Sequence, residues 1–241
     1  MTYRTSFKSV RLLGIDIQKA LRQPYRDKIH VEPVFIETDV MPFVKLEEYP
    51  DEGGKTLPVV FISVGFIDLV NNMAHAKAID SVQKGYFFKY IDLLAKETGE
   101  KQLPELPDLR NPKFWSDTVL NEQLSHFNSI VGIVIGIKLA HHYTGHFKKY
   151  VAQIEAGKNG KRIPINNLLT VKEWEEAVTL GVRNGLDAGC MVEGAIPFFE
   201  AFERMTQRPS WAGYFLPETV KTKDLKKQLE KIQKNYFAGK D

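Results

Sequence analysis

The fold turns on one stretch, Ile130-Val131-Gly132-Ile133-Val134-Ile135-Gly136-Ile137-Lys138-Leu139-Ala140-His141-His142-Tyr143-Thr144-Gly145-His146. From Ile130 to Ala140 only Lys138 is charged, and apolar side chains fall on almost every face. That is the pattern of a helix buried on all sides. The run is shorter than the roughly 20 residues a bilayer crossing needs, so it reads as a core helix with no transmembrane segment. Extended outward, the helical pattern covers Thr118 to about Tyr150, the longest helix of the chain.

On the N-terminal side, Leu103 to Phe114 holds three prolines and reads as a connector. Before it, Tyr86, Phe87, Tyr90, Leu93 and Leu94 mark one helix, with Gly99 as its stop, and Phe66, Ile67, Leu69 and Val70 open another. Residues 57–63 (LPVVFIS) form a buried or half-buried strand after the turn signal at 51–55. His30 to Tyr49, rich in Val, Ile and Phe but carrying Pro33 and Pro42, suits short edge strands. Residues 10–22 suit a short helix limited by Pro24. On the C-terminal side, Gly157 to Gly160 closes the long helix, and Thr170 and Glu173 form a capping box for the next. A helix follows at about Ile196 to Met205, then a loop from Pro209 to Pro217. Leu225, Leu229, Ile232 and Tyr236 stripe a terminal helix. The expected class is α+β, mainly helical, with a small N-terminal sheet in one domain spanning 1–241.

Composition narrows the function classes. With 43% hydrophobic and 26% charged residues in 241, the chain can build a real core, which excludes disordered and collagen-like readings. A net charge of +3 is too small to suggest a nucleic-acid binder. The seven lysines from Lys221 to Lys240 flank the terminal apolar stripe and form its solvated face. Cys190 is the only cysteine, so no intrachain disulfide holds the fold. The N-terminus shows no apolar signal segment, and the compartment stays open between cytoplasm and periplasm.

Chemistry concentrates in the histidines. Inside the long helix His142 and His146 stand four apart on one face, a spacing at which two imidazoles can hold one zinc ion. HExxH proteases use this arrangement, their glutamate activating the metal-bound water. Tyr143 occupies that position here, and a tyrosine with an ordinary pKa near 10 is a poor base at neutral pH. His141 reads as a neighbour without a role, and His30, His75 and His126 are isolated.

Three segments taken in order resemble the gluzincin zinc peptidases related to the CAAX prenyl endopeptidases and to bacterial periplasmic metalloproteases. Val60 to Leu69 is similar to the family's strand-to-helix passage, and Leu139 to His146 to its Leu-Ala-His-Glu-x-Gly-His. Glu176 to Gly181, with Leu186 to Gly189 and Ala195 to Phe199, is similar to its Glu-Ala-Asp region and the helix after it. The resemblance implies a zincin-like fold with an inserted helical segment at about 80–128. It also places Trp174 where the family has its third metal ligand, a glutamate, and Val178 where it has the aspartate that supports a histidine. Helical projection puts Val171, Trp174, Val178, Gly181, Val182 and Gly185 on one apolar face with Glu176 opposite. Glu175 is left as the nearest carboxylate able to swing to a metal.

The expectation is therefore a metallopeptidase-like protein with a degenerate site, non-catalytic and acting on a peptide or protein partner by binding. An active alternative keeps zinc on His142, His146 and Glu175 with Tyr143 assisting. A structural helical module unrelated to peptidases is the third class.

Overall fold

A computed structural model describes residues 3–22, 25, 34–50, 52–54, 56–96, 103–156, 163–205 and 208–240. His30, Pro24, Pro33, Gly99 and the Gly157–Gly160 stretch lie outside the described residues. The rest is mainly helical with one small sheet, the class read from the sequence.

The sheet is built from β1 (Val34–Glu37), β2 (Val44–Pro50) and β3 (Thr56–Ser63). Its order is β1-β3-β2, with β1 parallel and β2 antiparallel to β3, so the LPVVFIS run is central and the proline-bearing stretch before it supplies both edges. Val60 and Ile62 of β3 and Val44 and Leu46 of β2 turn into the core. Phe35, Phe61 and Tyr49 form an aromatic row on the other face, with ring centroids 5.2 Å and 6.3 Å apart for the two neighbouring pairs.

β3 passes directly into α2 (Val64–Ile79) through Ser63, whose Oγ accepts from the Phe66 N–H at 3.0 Å and so caps the helix. α3 (Tyr86–Leu94) and the connector after it occupy most of the stretch expected as an insertion, and a 3-10 turn at Pro112–Trp115 leads into α4. α1 (Tyr3–Lys19) starts earlier than the sequence pattern suggested.

α4 (Asp117–Tyr143) is the axis of the molecule: α1, α2, α6 (Val171–Asp187), α7 (Val192–Arg204) and the sheet all pack on it. Its 27 residues are long and apolar enough to cross a membrane, but 78% of its most apolar window is covered by the rest of the fold. The terminal helix α8 (Thr222–Phe237) buries Leu225, Leu229 and Ile232, as the stripe predicted. Tyr236 of the same stripe is half-buried and donates to Asp187 at 2.9 Å.

The crossing of α4 and α6 decides the geometry of everything near it. A methyl group added at Gly136 would stand 2.5 Å from the Gly181 carbonyl oxygen, and one added at Gly181 would stand 2.4 Å from the Ile137 nitrogen. The two backbones touch at these glycines, which fixes the register of the pair to within a residue. Gly181→Ala must push the helices apart, and overpacking of this kind costs on the order of 2–3 kcal/mol. Urea unfolding should show that loss; a variant as stable as the parent would mean the backbones stand further apart than this.

Candidate functional site

The long helix expected from Thr118 to Tyr150 is broken. α4 ends at Tyr143, and Gly145 takes φ +76°, a left-handed conformation that glycine adopts freely. Thr144 Oγ1 donates back to the Ala140 carbonyl at 2.8 Å and the Gly145 N–H to the His142 carbonyl at 3.0 Å, closing the last turn. α5 (His146–Glu155) then starts as a separate helix with Gly145 at its N-cap. His142 and His146 therefore belong to different helices, and the one-face spacing that would let them share a zinc ion is absent.

Their partners confirm the separation. His142 Nδ1 donates to Glu48 Oε1 of β2 at 2.7 Å. His146 lies with its Nδ1 3.4 Å from His141 Nδ1 and its Nε2 3.6 Å from Glu176 Oε2. Glu176, expected to face solvent, is largely exposed yet reaches back to this imidazole. Glu175 is exposed and lines an outer groove between α6 and α8, where it meets neither histidine. Tyr143 packs its ring 5.1 Å from Tyr25, and burial raises its hydroxyl pKa still further from the range of a base. Among the described residues no group of three or more His, Cys, Asp or Glu side chains could hold a metal ion, so the residues present do not fit zinc.

What α4 does present to α6 is a different set. His141, expected to have no role, is fully buried, and its ring centre lies 6.5 Å from that of Trp174. Trp174 is 1% exposed and Val178 fully buried, so the core face projected for α6 is correct at both, whereas Val171, projected onto the same face, is exposed in the first turn, before the helix enters the core. The capping box forms as read: Thr170 Oγ1 accepts from the Glu173 N–H at 3.3 Å, and the Glu173 carboxylate accepts from the Thr170 N–H at 2.9 Å. Burial opposes the Glu173 charge, but hydrogen bonds from Lys149, Thr170 and Tyr150 outweigh it and hold the carboxyl at about 2.

Lys138 was noted only as the single charge in an apolar run. It is 2% exposed, and among the described residues its one hydrogen-bond partner is Asn166 Oδ1 at 3.4 Å. Asn166 is itself anchored, donating from Nδ2 to the Tyr214 carbonyl at 3.1 Å. Burial pushes the Lys138 amine down to about 7. Burial first, then the charges of Lys138 and His146, keep the His141 imidazole well below its usual range and so neutral. The other histidines have structural partners: His75 Nε2 is 2.8 Å from the Phe114 carbonyl oxygen, and His126 Nδ1 is 3.1 Å from that of Gly194.

Sequence reasoning missed the pair Lys138 and His141 because a lone lysine and the first of two adjacent histidines carry no spacing signal. The glycine at 145, three residues after His142, was the available clue that the helix would stop. Compared with family models, with curated proteins and with solved structures, the chain matches none.

Proposed function

We propose that this chain is a catalytically silent relative of the gluzincin peptidases, with a zincin-like core, which binds an extended peptide or partner segment and does not cut it. One observation supports this reading above the others: across the Gly136–Gly181 crossing, the residue of α4 that meets Trp174 is His141. Trp174 stands at the family's third-ligand position, so the matching HExxH window is five residues earlier than the HHYTGH reading. It runs Ile137-Lys138-Leu139-Ala140-His141 and lies inside an unbroken helix. In that register Ile137 replaces the first histidine, Lys138 the glutamate base, Trp174 the glutamate ligand and Val178 the supporting aspartate; His141 alone is retained.

Each replacement removes a separate requirement. The indole fills the space beside His141, and a buried amine takes the place of a carboxylate that would position water. Binding is favoured over chemistry because β2 is an edge strand and offers backbone groups for strand addition beside this filled site.

The test uses protein purified without chelator and a fluorescence-quenched random peptide library. Zinc below stoichiometry, no cleavage, and amide shifts along β2 when the library is added are the expected results. Stoichiometric zinc that disappears with His141→Ala, or cleavage of the library, would overturn the silent reading. An absence of shifts at β2 would overturn the binding half.

A further inference from the structure

A cavity of about 30 Å³ lies between β2, the Pro164–Ile165 segment and Tyr214, with Lys138 on its wall beside Val44, Leu46 and Phe147. By the usual allowance of roughly 10–15 Å³ per water, it holds two or three non-hydrogen atoms. An ammonium carries three donors, and among the described residues this one has a single long partner in Asn166. Among the described residues no carboxylate is paired with it. Lys45 and Glu47 also border the cavity from β2, but they alternate with the core-facing Val44 and Leu46, and Lys45 Nζ is held 3.1 Å from Glu37 and over the rings of Phe43 and Phe61. On its own helix the nearest titratable group is His141, backed by His146 of α5, and both are bases.

We propose that Lys138 is a covalent capture site for small neutral aldehydes, its amine forming an imine inside this cavity. The proposal rests on the cavity and the sequestered amine and does not depend on the likeness to peptidases. The Nζ lone pair attacks the carbonyl carbon, and the C=O π electrons move to oxygen, which takes one N–H proton to give a carbinolamine. The nitrogen lone pair then expels the hydroxyl group, which leaves as water with the second N–H proton while the C=N bond forms. Amine and aldehyde are consumed, and imine and water are produced, with no change of oxidation state. A neutral adduct suits the apolar walls. A carbamate from carbon dioxide would bury an anion with no free cation beside it among the described residues, Lys45 being engaged by Glu37. The amine's pKa near 7 agrees with the geometry, since the nucleophile is the unprotonated form.

The whole chain is treated with limiting acetaldehyde and cyanoborohydride, which delivers hydride to an imine once it takes up a proton, and the ethylated lysines are located by peptide mass spectrometry. At about pH 6.5 an ordinary lysine is almost entirely protonated, so Lys138 should be ethylated at least ~10-fold faster than the exposed Lys113 and Lys148. Unfolding in urea should abolish the preference. Benzaldehyde, too large for the cavity, should label exposed lysines and spare Lys138. The proposal fails if Lys138 is no faster than Lys113 and Lys148 with acetaldehyde, or if benzaldehyde labels it as readily, since the amine would then react outside the cavity.

Discussion

Lys138→Met is expected to stabilise the protein at pH 7 by on the order of 3 kcal/mol, a rise of roughly 6–12 °C in midpoint for a chain of this size. The native amine sits at about 7, whereas the unfolded chain's lysine titrates near its ordinary 10.5. Between those two values the unfolded chain holds a proton that the native state lacks, and wild-type stability rises with pH across the window. Methionine of similar length fills the same space among Val44, Leu46 and Phe147 and carries no such linkage. The advantage of the variant should be larger at pH 7 than at pH 10, because the cost of removing the proton that the unfolded chain carries falls as pH approaches 10.5. Urea denaturation of the two proteins at both pH values checks this. A gap of equal size at pH 7 and pH 10 would mean that the amine's charge is not what burdens the native state.

The second large effect is the return of a metal site. Ile137→His, Lys138→Glu and Trp174→Glu together rebuild two histidines four apart on one helix, a base between them and a carboxylate from the facing helix. Losing the Trp174 side chain from the core costs ~3–5 kcal/mol, and the buried carboxylates add to it unless paired. The triple variant should therefore be poorly stable alone. Zinc at a thousandfold excess over its dissociation constant should restore about 4 kcal/mol, because the ion binds the native state only. The alternative pair Tyr143→Glu with Trp174→Glu, built around His142 and His146, should gain nothing from zinc, since those histidines lie on different helices and His142 is paired with Glu48. Thermal melts with and without zinc separate the two designs. A zinc response from the Tyr143 design, or none from the triple variant, would refute the register assigned across the Gly136–Gly181 crossing.

The legible parts of this chain were those where one strong local signal met no competitor. The run at 57–63 is hydrophobic and β-branched between turn residues, and it became the central strand. On α6, the 3.6-residue period and the Thr170–Glu173 box fixed both the start of the helix and its buried face. The end of α4 was not legible in the same way. A glycine inside a helix costs only about 1 kcal/mol, so Thr144-Gly145 alone does not settle whether the helix stops, and the hydrogen bond of His142 to Glu48 comes from a strand 94 residues away. Lys138 was hidden for a related reason. A lysine usually carries its charge to the surface, and only the packing of α5 and Ile165 over it shows that this one cannot.

The covering of α4 has a consequence for the life of the chain before it is folded. A 27-residue segment with the hydropathy of a membrane anchor is harmless in water only while α1, α2, α6 and α7 enclose it, and two of these four covers follow it in the chain. α6 and α7 emerge from the ribosome after α4, so a nascent chain halted near residue 156 displays the apolar stretch uncovered on one side. Such an intermediate is a substrate for chaperones and for membrane-insertion machinery alike, and truncation anywhere upstream of α6 should convert a folded protein into an aggregating or membrane-associated one.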